Sequence, residues 1–507
     1  MKSSQMKLLL RTSSIAVLSL FAAGCVTAPP KALTPQQIPT TFTAPAAKDA
    51  DIWPKAEWWK GFGNDEMTQM IAAARESNLD IAAAAARVLQ AEAQSGIADS
   101  ALFPSVDFTG GVDRTGGKTG ASINRFSASL GASYELDIFG RVRADVRGAE
   151  ESLKASRFSQ QAVALTVTAN TGNAYLDVLA LRQRVAIAQK NIAAARRVLD
   201  ITDAKVKNGV ASRLDYAQQR AQLAGQESQV PALEEQEREA RYALAVLLGR
   251  IPEGFDVKGS DLANISAPAV APGLPSELLR RRPDVAQAEA ALAAAHANVD
   301  AARAAFFPSI SLTAGGGAAS TALSTLFKTS NITYSLGASL FQSIFEGGRL
   351  IAQSKLAQAQ RQELIANYRK AVLNAFTDVE SALGQVYSLA EQERYTQIQA
   401  DNAAEAFRIS EIQYREGVAD LLSVLQSQQT LFSAQDKLVQ IKLARIQSEI
   451  GLYRALGGGW QEDAEEATQP IPAAGVTPIA APPYIVPTPK PVPETPNPEP
   501  EESAPQQ

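Results

Sequence analysis

The chain of 507 residues contains one cysteine and one histidine. The single cysteine, Cys25, excludes a disulfide or a thiolate metal cluster within the chain. The single histidine, His296, lies in an alanine-rich segment with a helical pattern, so a histidine-based active site is not expected. No glycine-rich phosphate loop, nucleophile elbow or paired metal-ligand spacing stands out in the sequence. We therefore predict a protein that is not an enzyme and that uses no metal or other cofactor.

Charge of one sign is not in excess either. The chain has 48 Lys and Arg against 53 Asp and Glu, a formal net charge of −5. No basic stripe marks a surface for nucleic acid. Nucleic acid is therefore not expected as a partner.

The N-terminus is typical of an export signal. Three basic residues precede an apolar run over residues 15–23, which is shorter than the ~20 residues of a transmembrane helix. The segment Ala22-Ala23-Gly24-Cys25 resembles the lipobox of bacterial lipoproteins, which predicts acylation of Cys25. Ordinary signal cleavage near Ala22 is the alternative. Val26 follows the cysteine, where by family analogy an aspartate would indicate retention at the inner membrane, so we expect the outer membrane.

Proline is absent from two long stretches of the chain. None occurs between Pro104 and Pro231 or between Pro308 and Pro470. Because proline is heavily penalised inside helices, these stretches can hold uninterrupted helices. The residues beyond Glu465, in contrast, are proline-rich and acidic. That composition cannot bury a core and predicts a disordered or polyproline-like tail.

Helical periodicity fills both proline-free stretches. Apolar residues follow a three-four spacing from Val163 to Val206 and again from Val372 to Ala390. A seven-residue spacing from Leu425 to Tyr453 favours helices that supercoil against neighbours. A helix from Arg143 to Val206 would be roughly 95 Å long. An ordinary elongated coiled coil has the same periodicity, so this pattern alone leaves that alternative open.

Four short segments alternate apolar with small or polar residues, as strands do: 126–138 and 332–340, with 106–108 and 310–312 as the starts of two more. Apolar-out, polar-in alternation is typical of transmembrane barrel strands, although a soluble hairpin also shows it. Four such segments in an exported chain favour the barrel. The intervening segments 110–125 and 315–331 are predicted as loops on the cell exterior.

Four strands cannot close a membrane barrel. The smallest spanning barrels have about eight strands, and open sheet edges are not tolerated in lipid. The chain must therefore oligomerise, and the long helices are expected to line a shared tube beneath the strands.

The sequence is an internal duplication. Residues 80–106 match 284–310 at an offset of 204, and Gly209-Val210-Ala211 matches Gly417-Val418-Ala419 at an offset of 208. So long a period lies outside the solenoid repeats and indicates two copies of one module. We predict a signal peptide over 1–24, an acylated extended segment over 25–60, repeats over 61–265 and 266–463, and a Pro-rich tail over 464–507.

These features resemble the TolC-like outer-membrane efflux duct family, in particular its acylated OprM-like, NodT-type branch. The resemblance covers residues 58–460 and is carried by Trp58-Trp59, the segment Glu135–Arg141, the segment Leu274–Asp284, Phe306-Phe307-Pro308 and the segment Leu452–Trp460. It implies an α+β membrane protein that forms a trimer, with a shared barrel of twelve strands and a periplasmic α-helical barrel.

The same resemblance implies a role and partners. The trimer would dock a periplasmic adaptor (membrane fusion) protein and an inner-membrane RND pump, and would passively conduct drugs or other small molecules outward. It would be held in the outer membrane by its barrel and by acylated Cys25. A type I protein-secretion duct has the same fold and is the first alternative. A non-conducting periplasmic coiled-coil scaffold lipoprotein is the second, although a scaffold needs no amphipathic hairpins.

The resemblance also indicates where the periplasmic mouth lies. Gly209 and Gly417 sit inside the two helical patterns, where glycine can end a helix. The family makes its adaptor contact at such tips, so Gly209-Val210 and Gly417-Val418 are the predicted contact residues.

The family narrows its channel with carboxylates one or two turns beyond the second glycine. Here the aligned positions are Ser423 and Gln426, which are uncharged. Asp420 lies nearby, and Asp215 is the first-repeat equivalent of Ser423. We predict that these four residues line the periplasmic aperture, where each aspartate would form a ring of three that favours cations. The alternative is that both aspartates are only helix-surface or capping residues.

Overall fold

The computed structural model describes residues 39, 41–44, 51–116, 120, 122–266 and 268–460. The predicted signal peptide, Cys25, most of the N-terminal segment and the Pro-rich tail lie outside these residues. Among the described residues, no helix combines the length and apolar character needed to cross a membrane.

The first repeat contains four helices and two long strands. After the short strand β1 (Asp51–Ile52) and a 3-10 turn (Trp58–Phe62), the elements are α1 (Asp65–Ser77), α2 (Leu79–Ser100), β2 (Ser105–Gly116), β3 (Ser122–Leu136), α3 (Arg141–Lys207) and α4 (Arg213–Leu247).

The second repeat has the same order. It comprises β4 (Val270–Ala271), α5 (Pro275–Leu278), α6 (Pro283–Ala304), β5 (Ser309–Ser320), β6 (Ile332–Phe341), α7 (Arg349–Glu416) and α8 (Leu421–Ala455), with two 3-10 turns between β5 and β6. The strand β4 pairs with β1 in parallel.

Two very long helices dominate the fold. The helix α3 has 67 residues and α7 has 68, so each is roughly 100 Å long. The long helix predicted over 143–206 is confirmed. One difference concerns Pro231, which bounds a proline-free stretch in the sequence yet lies inside α4. Pro231 is exposed, so the carbonyl that loses its partner there faces solvent.

The long helices form one layer. The helix α3 packs against α2 and α6 along the half nearer the strands, and against α4 and α8 along the other half. The helix α7 packs against α6 and α8 at one side of the layer. One edge of the layer is therefore formed by α2 and α4, and the opposite edge by α7. The sole histidine, His296, lies exposed on α6.

The four long strands form one antiparallel sheet in the order β2-β3-β5-β6. Its register aligns apolar residues on one face, as where Ala132 pairs with Ala314, which in turn pairs with Leu336. The other face carries polar residues: small ones where Ser133 pairs with Thr313, and charged ones where Asp113 pairs with Arg125. The predicted alternation is confirmed, and β2 and β6 are the two unpaired edges.

The strands are longer than predicted, so the loops predicted over 110–125 and 315–331 are shorter in the structure. The strand β2 continues to Gly116 and β5 to Ser320, while β3 ends at Leu136 and excludes Ile138. The glycines in these ranges suggested loops. In the structure most of them lie within β2 and β5, where the lack of a side chain allows neighbouring strands to pack closely. A Cβ at Gly317 would lie 2.8 Å from the carbonyl oxygen of Ala128 on the neighbouring strand.

The main core lies where the two repeats meet, about midway along α3 and α7. Trp58 stacks on Tyr453, with ring centroids 4.9 Å apart, so the start and end of the folded region pack together. Beside it, buried Arg282 donates to Asp284, Asp378 and the carbonyl of Ala455. Gly457 has φ +88°, and a Cβ there would clash with the carbonyl of Arg281.

Candidate functional site: the two hairpin tips

Each repeat ends its long helix in a tight turn far from the sheet. After α3, Gly209 adopts φ +74°, and after α7, Gly417 adopts φ +80°. At the first turn the amide of Val210 donates to the carbonyl of Lys205 over 2.9 Å, and at the second the amide of Val418 donates to the carbonyl of Gln413 over 2.8 Å. Both turns are Schellman motifs, in which glycine accepts the left-handed backbone.

The two tips expose matched aliphatic side chains. Val210 is 71% exposed and Val418 is 78% exposed. In a Schellman motif this position often packs against the third or fourth residue from the helix end. Here those residues are Lys205 and Ala204 at the first tip, and Gln413 and Ile412 at the second. Both valines are nevertheless largely exposed. Leu214 and Leu422, in the first turn of the next helices, are also exposed.

The aspartates predicted at the aperture cap the helices that leave the tips. Asp215 and Ser212 form a capping box: the Asp215 amide donates to Ser212 Oγ over 3.1 Å, and the Ser212 amide donates to Asp215 Oδ2 over 2.8 Å. Asp420 is the N-cap of α8, where its Oδ1 accepts from the amide and hydroxyl of Ser423 at 2.9 and 2.7 Å. These hydrogen bonds lower the pKa of Asp420.

These capping hydrogen bonds do not prevent the two aspartates from also acting on ions in the channel through their charge. Ser423 lies in the first turn of α8 and is bound to Asp420, while Gln426 follows one turn later with an exposed side chain. The structure thus brings Asp420, Ser423 and Gln426 together at the start of α8. Asp215 occupies the equivalent start of α4. Their contribution to an aperture stays a prediction.

The two hairpins are joined near their tips by polar contacts. The hydroxyl groups of Thr202 on α3 and Tyr414 on α7 lie 3.1 Å apart and are buried. The ammonium of Lys205 lies 5.1 Å from the centre of the Tyr414 ring. Burial raises the pKa of Tyr414, so its hydroxyl stays neutral. The hairpins therefore present their tips side by side.

Sequence reasoning missed the residues that align the hairpins. Thr202 and Tyr414 are 212 residues apart in the chain, and neither has a local pattern that marks it. The exposed Leu214 and Leu422 could have been found, because they are repeated at the same offset of 208 as the two valines.

A sheet with one apolar face, attached to helical hairpins roughly 100 Å long, defines a channel-forming protein of the bacterial envelope. Comparison with known proteins supports this class. The model of the outer membrane efflux protein family matches residues 70–250 and 274–458. The chain belongs to that family, and it is an outer-membrane channel component of efflux systems.

Several relatives cover nearly the whole chain. It is 40% identical to the pyoverdine export outer membrane protein OpmQ of Pseudomonas aeruginosa, over 85% of this chain and 94% of that protein. It is 31% identical to the cation efflux system protein CusC of Escherichia coli, over 88% and 98%. The MtrE outer membrane channel of Neisseria gonorrhoeae, solved in its open state, superposes with a TM-score of 0.78 at 29% identity, over 87% and 99%. The fold is thus TolC-like.

Proposed function

We propose that three copies of this chain form the outer-membrane duct of a tripartite RND-type efflux system. The carrying observation is the four-stranded sheet, which has an apolar face and two unpaired edges. Only closure of such a sheet satisfies its backbone in lipid. Three sheets of four strands give a barrel of twelve, and the helices continue it into the periplasm. A type I secretion duct would have the same geometry.

The duct conducts passively and catalyses no reaction. Support comes from the family's role in transport. The polar face of the sheet combines small neutral side chains, such as Ser129, Ser133 and Thr313, with charged ones. The charged residues are Asp107, Asp113, Arg125 and Glu135. Similarity to OpmQ makes pyoverdine-like small molecules the first substrates to test, with drugs as the second class.

The adaptor protein binds the hairpin tips. Support comes from Val210 and Val418, which are largely exposed at the two tips. Leu214 and Leu422, in the first turn of the following helices, add exposed apolar surface at each tip. Small apolar patches with a polar rim are typical of protein contact sites.

Acylation of Cys25 fits the position at which the N-terminal segment meets the described fold. The amide of Thr43 donates to Glu380 on α7. Glu380 lies 31 residues along α7, roughly 47 Å from its sheet end. The 18 residues from Cys25 to Thr43 span up to about 60 Å when extended. An acyl chain on Cys25 can therefore reach the membrane.

The test is accumulation of a fluorescent efflux substrate in cells that lack the gene. We expect accumulation to rise on deletion and to fall when the intact chain is restored. Purified protein should run as a trimer in mild detergent. A monomer that still restored efflux, or unchanged accumulation together with loss of a secreted protein, would contradict the proposal.

A further inference from the structure

A short piece of the N-terminal segment is fastened to α7. The amides of Thr43 and Ala44 donate to the two carboxylate oxygens of Glu380, over 2.7 and 2.9 Å. The side chains of Phe42 and Ala44 pack against the edge of the main core. Residues 41–44 are thus held by one carboxylate from 336 residues further along the chain.

Glu380 lies on the flank of α7 that faces away from α6. Asp378, two residues earlier, bonds Arg282, the N-cap residue of α6. Two residues correspond to about 200° around a helix. Glu380 therefore points to the opposite side from α6, and residues 41–44 lie along the outer edge of the helical layer.

That outer edge also carries a stripe of exposed apolar residues. Leu373 and Tyr387 lie seven residues either side of Glu380, and Ile398 and Ile409 follow at steps of eleven. Steps of seven and eleven each return to within about 20° of the same face. Leu373 and Tyr387 are 61% and 55% exposed, which is unusual for large apolar residues aligned along one helix.

The strands show what covers this edge. The unpaired strand β6 runs directly into α7, and α2 runs directly into the unpaired strand β2. The sheet edge β6 must pair with β2 of another copy to be stable in lipid. Once it does, α7 is brought against α2 and α4 of that same copy. The contact is head-to-tail, as in a closed ring.

We propose that residues 41–44, held by Glu380, form part of the contact between neighbouring copies of this chain. This rests on the proposed trimer. Residues 41–44 lie along the α7 edge of one copy, and the α2–α4 edge of the next copy packs against them. By holding this segment in place, Glu380 stabilises the contact between subunits.

The first experiment places the photoreactive residue p-benzoylphenylalanine at position 43 of the full-length protein in cells. The Thr43 side chain is exposed. Only its backbone amide donates a hydrogen bond to Glu380, so a new side chain at this position leaves that bond in place. We expect irradiation to give a covalent dimer of this chain. The matched control carries the same probe at position 363, where Glu363 lies on the other flank of α7 beside Asn298 of α6. We expect no dimer from that position.

The second experiment compares Glu380→Ala with Glu363→Ala in purified protein. We expect Glu380→Ala to abolish the dimer formed from position 43 and to lower the temperature at which the trimer dissociates by about 5 °C. Glu363→Ala should change neither. Glu380→Gln keeps one acceptor oxygen and should give an intermediate loss, which guards against a fold defect in the alanine variant.

Three outcomes would overturn the inference. Crosslinks from position 43 that stay within one chain, or that capture another protein instead, would show that no second copy covers the segment. A Glu380→Ala trimer as stable as the wild type would show that the contact between Glu380 and residues 41–44 does not support assembly. If the wild-type chain formed no trimer at all, the proposed function itself would be wrong.

Discussion

Val210 and Val418 occupy the same position of two identical helix-ending motifs, 208 residues apart, and both valines face solvent. The turns leave most of each side chain exposed, so burial within the chain does not account for the apolar residue at this position. Contact with the proposed adaptor would bury both valines. The duplication preserved the geometry of the two tips as well as the fold.

The first prediction concerns these valines. Val210→Asp combined with Val418→Asp should abolish efflux, because a charge would have to be buried against the adaptor. Trimer yield and helical content should stay unchanged, since both side chains are exposed. The measurement is substrate accumulation together with copurification of the adaptor. Ile251→Asp, at an exposed loop position away from the tips, is the control. Equal loss of efflux in the control would contradict the assignment.

The second prediction compares neighbours on β3. Leu130 lies on the apolar face of the sheet and Ser129 on the polar face. Leu130→Arg should prevent assembly in the outer membrane, because arginine facing the bilayer midplane costs about 2 to 4 kcal/mol. Ser129→Arg should assemble and alter conductance instead. Trimer yield in outer-membrane fractions separates the two variants. Assembly of both would argue against a lipid-facing sheet.

The third prediction separates capping from electrostatics at the mouth. Asparagine caps helices about as well as aspartate at the N-cap position of Asp420. At the N3 position of Asp215 its amide oxygen can still accept from the Ser212 amide. Asp420→Asn and Asp215→Asn should therefore leave the melting temperature nearly unchanged. If carboxylate rings act at the aperture, both variants should reduce cation selectivity in planar bilayers. Asp420→Ala should in addition lose about 1 kcal/mol of helix stability. Unchanged selectivity in both asparagine variants would leave the aspartates as caps alone.

The fourth prediction concerns pH. Burial raises the pKa of Glu449 on α8 to about 7, despite the nearby Arg445. Because the folded pKa exceeds the unfolded value of about 4.3, the fold favours the protonated acid. This contribution to stability is full at low pH and is lost as the pH rises through 7.

Glu449→Gln should remove that dependence. Thermal unfolding followed by circular dichroism at pH 5 and pH 8 should show the wild type losing more stability than the variant, by about 3 kcal/mol at most. Parallel pH profiles for the two proteins would show that Glu449 does not titrate in this range.

Local patterns predicted much of the fold. The three-four spacing identified α3 because one face of that helix is buried along most of its length, from Val142 to Thr202. The period of two identified β3 for the same reason, since its two faces meet different surroundings. The hairpin turns at Gly209 and Gly417 followed from the need for a left-handed residue at a helix end. The glycines of β2 and β5 led to the wrong loop boundaries. Sequence alone does not distinguish a glycine in a loop from one that packs against a neighbouring strand.

The sequence alone determined the helices and the alternation of the strands, because apolar periodicity and proline spacing depend on neighbours within a few residues. It also determined the need for several copies, because the duplicated module supplies only four strands per chain. Only the tertiary structure decided which polar group meets which partner: Asp378 with Arg282, Glu380 with Thr43, and Thr202 with Tyr414. These contacts join residues 96 to 337 positions apart. Such pairs form only after the long helices have packed into a layer, and no local pattern encodes the side of that layer on which each residue emerges.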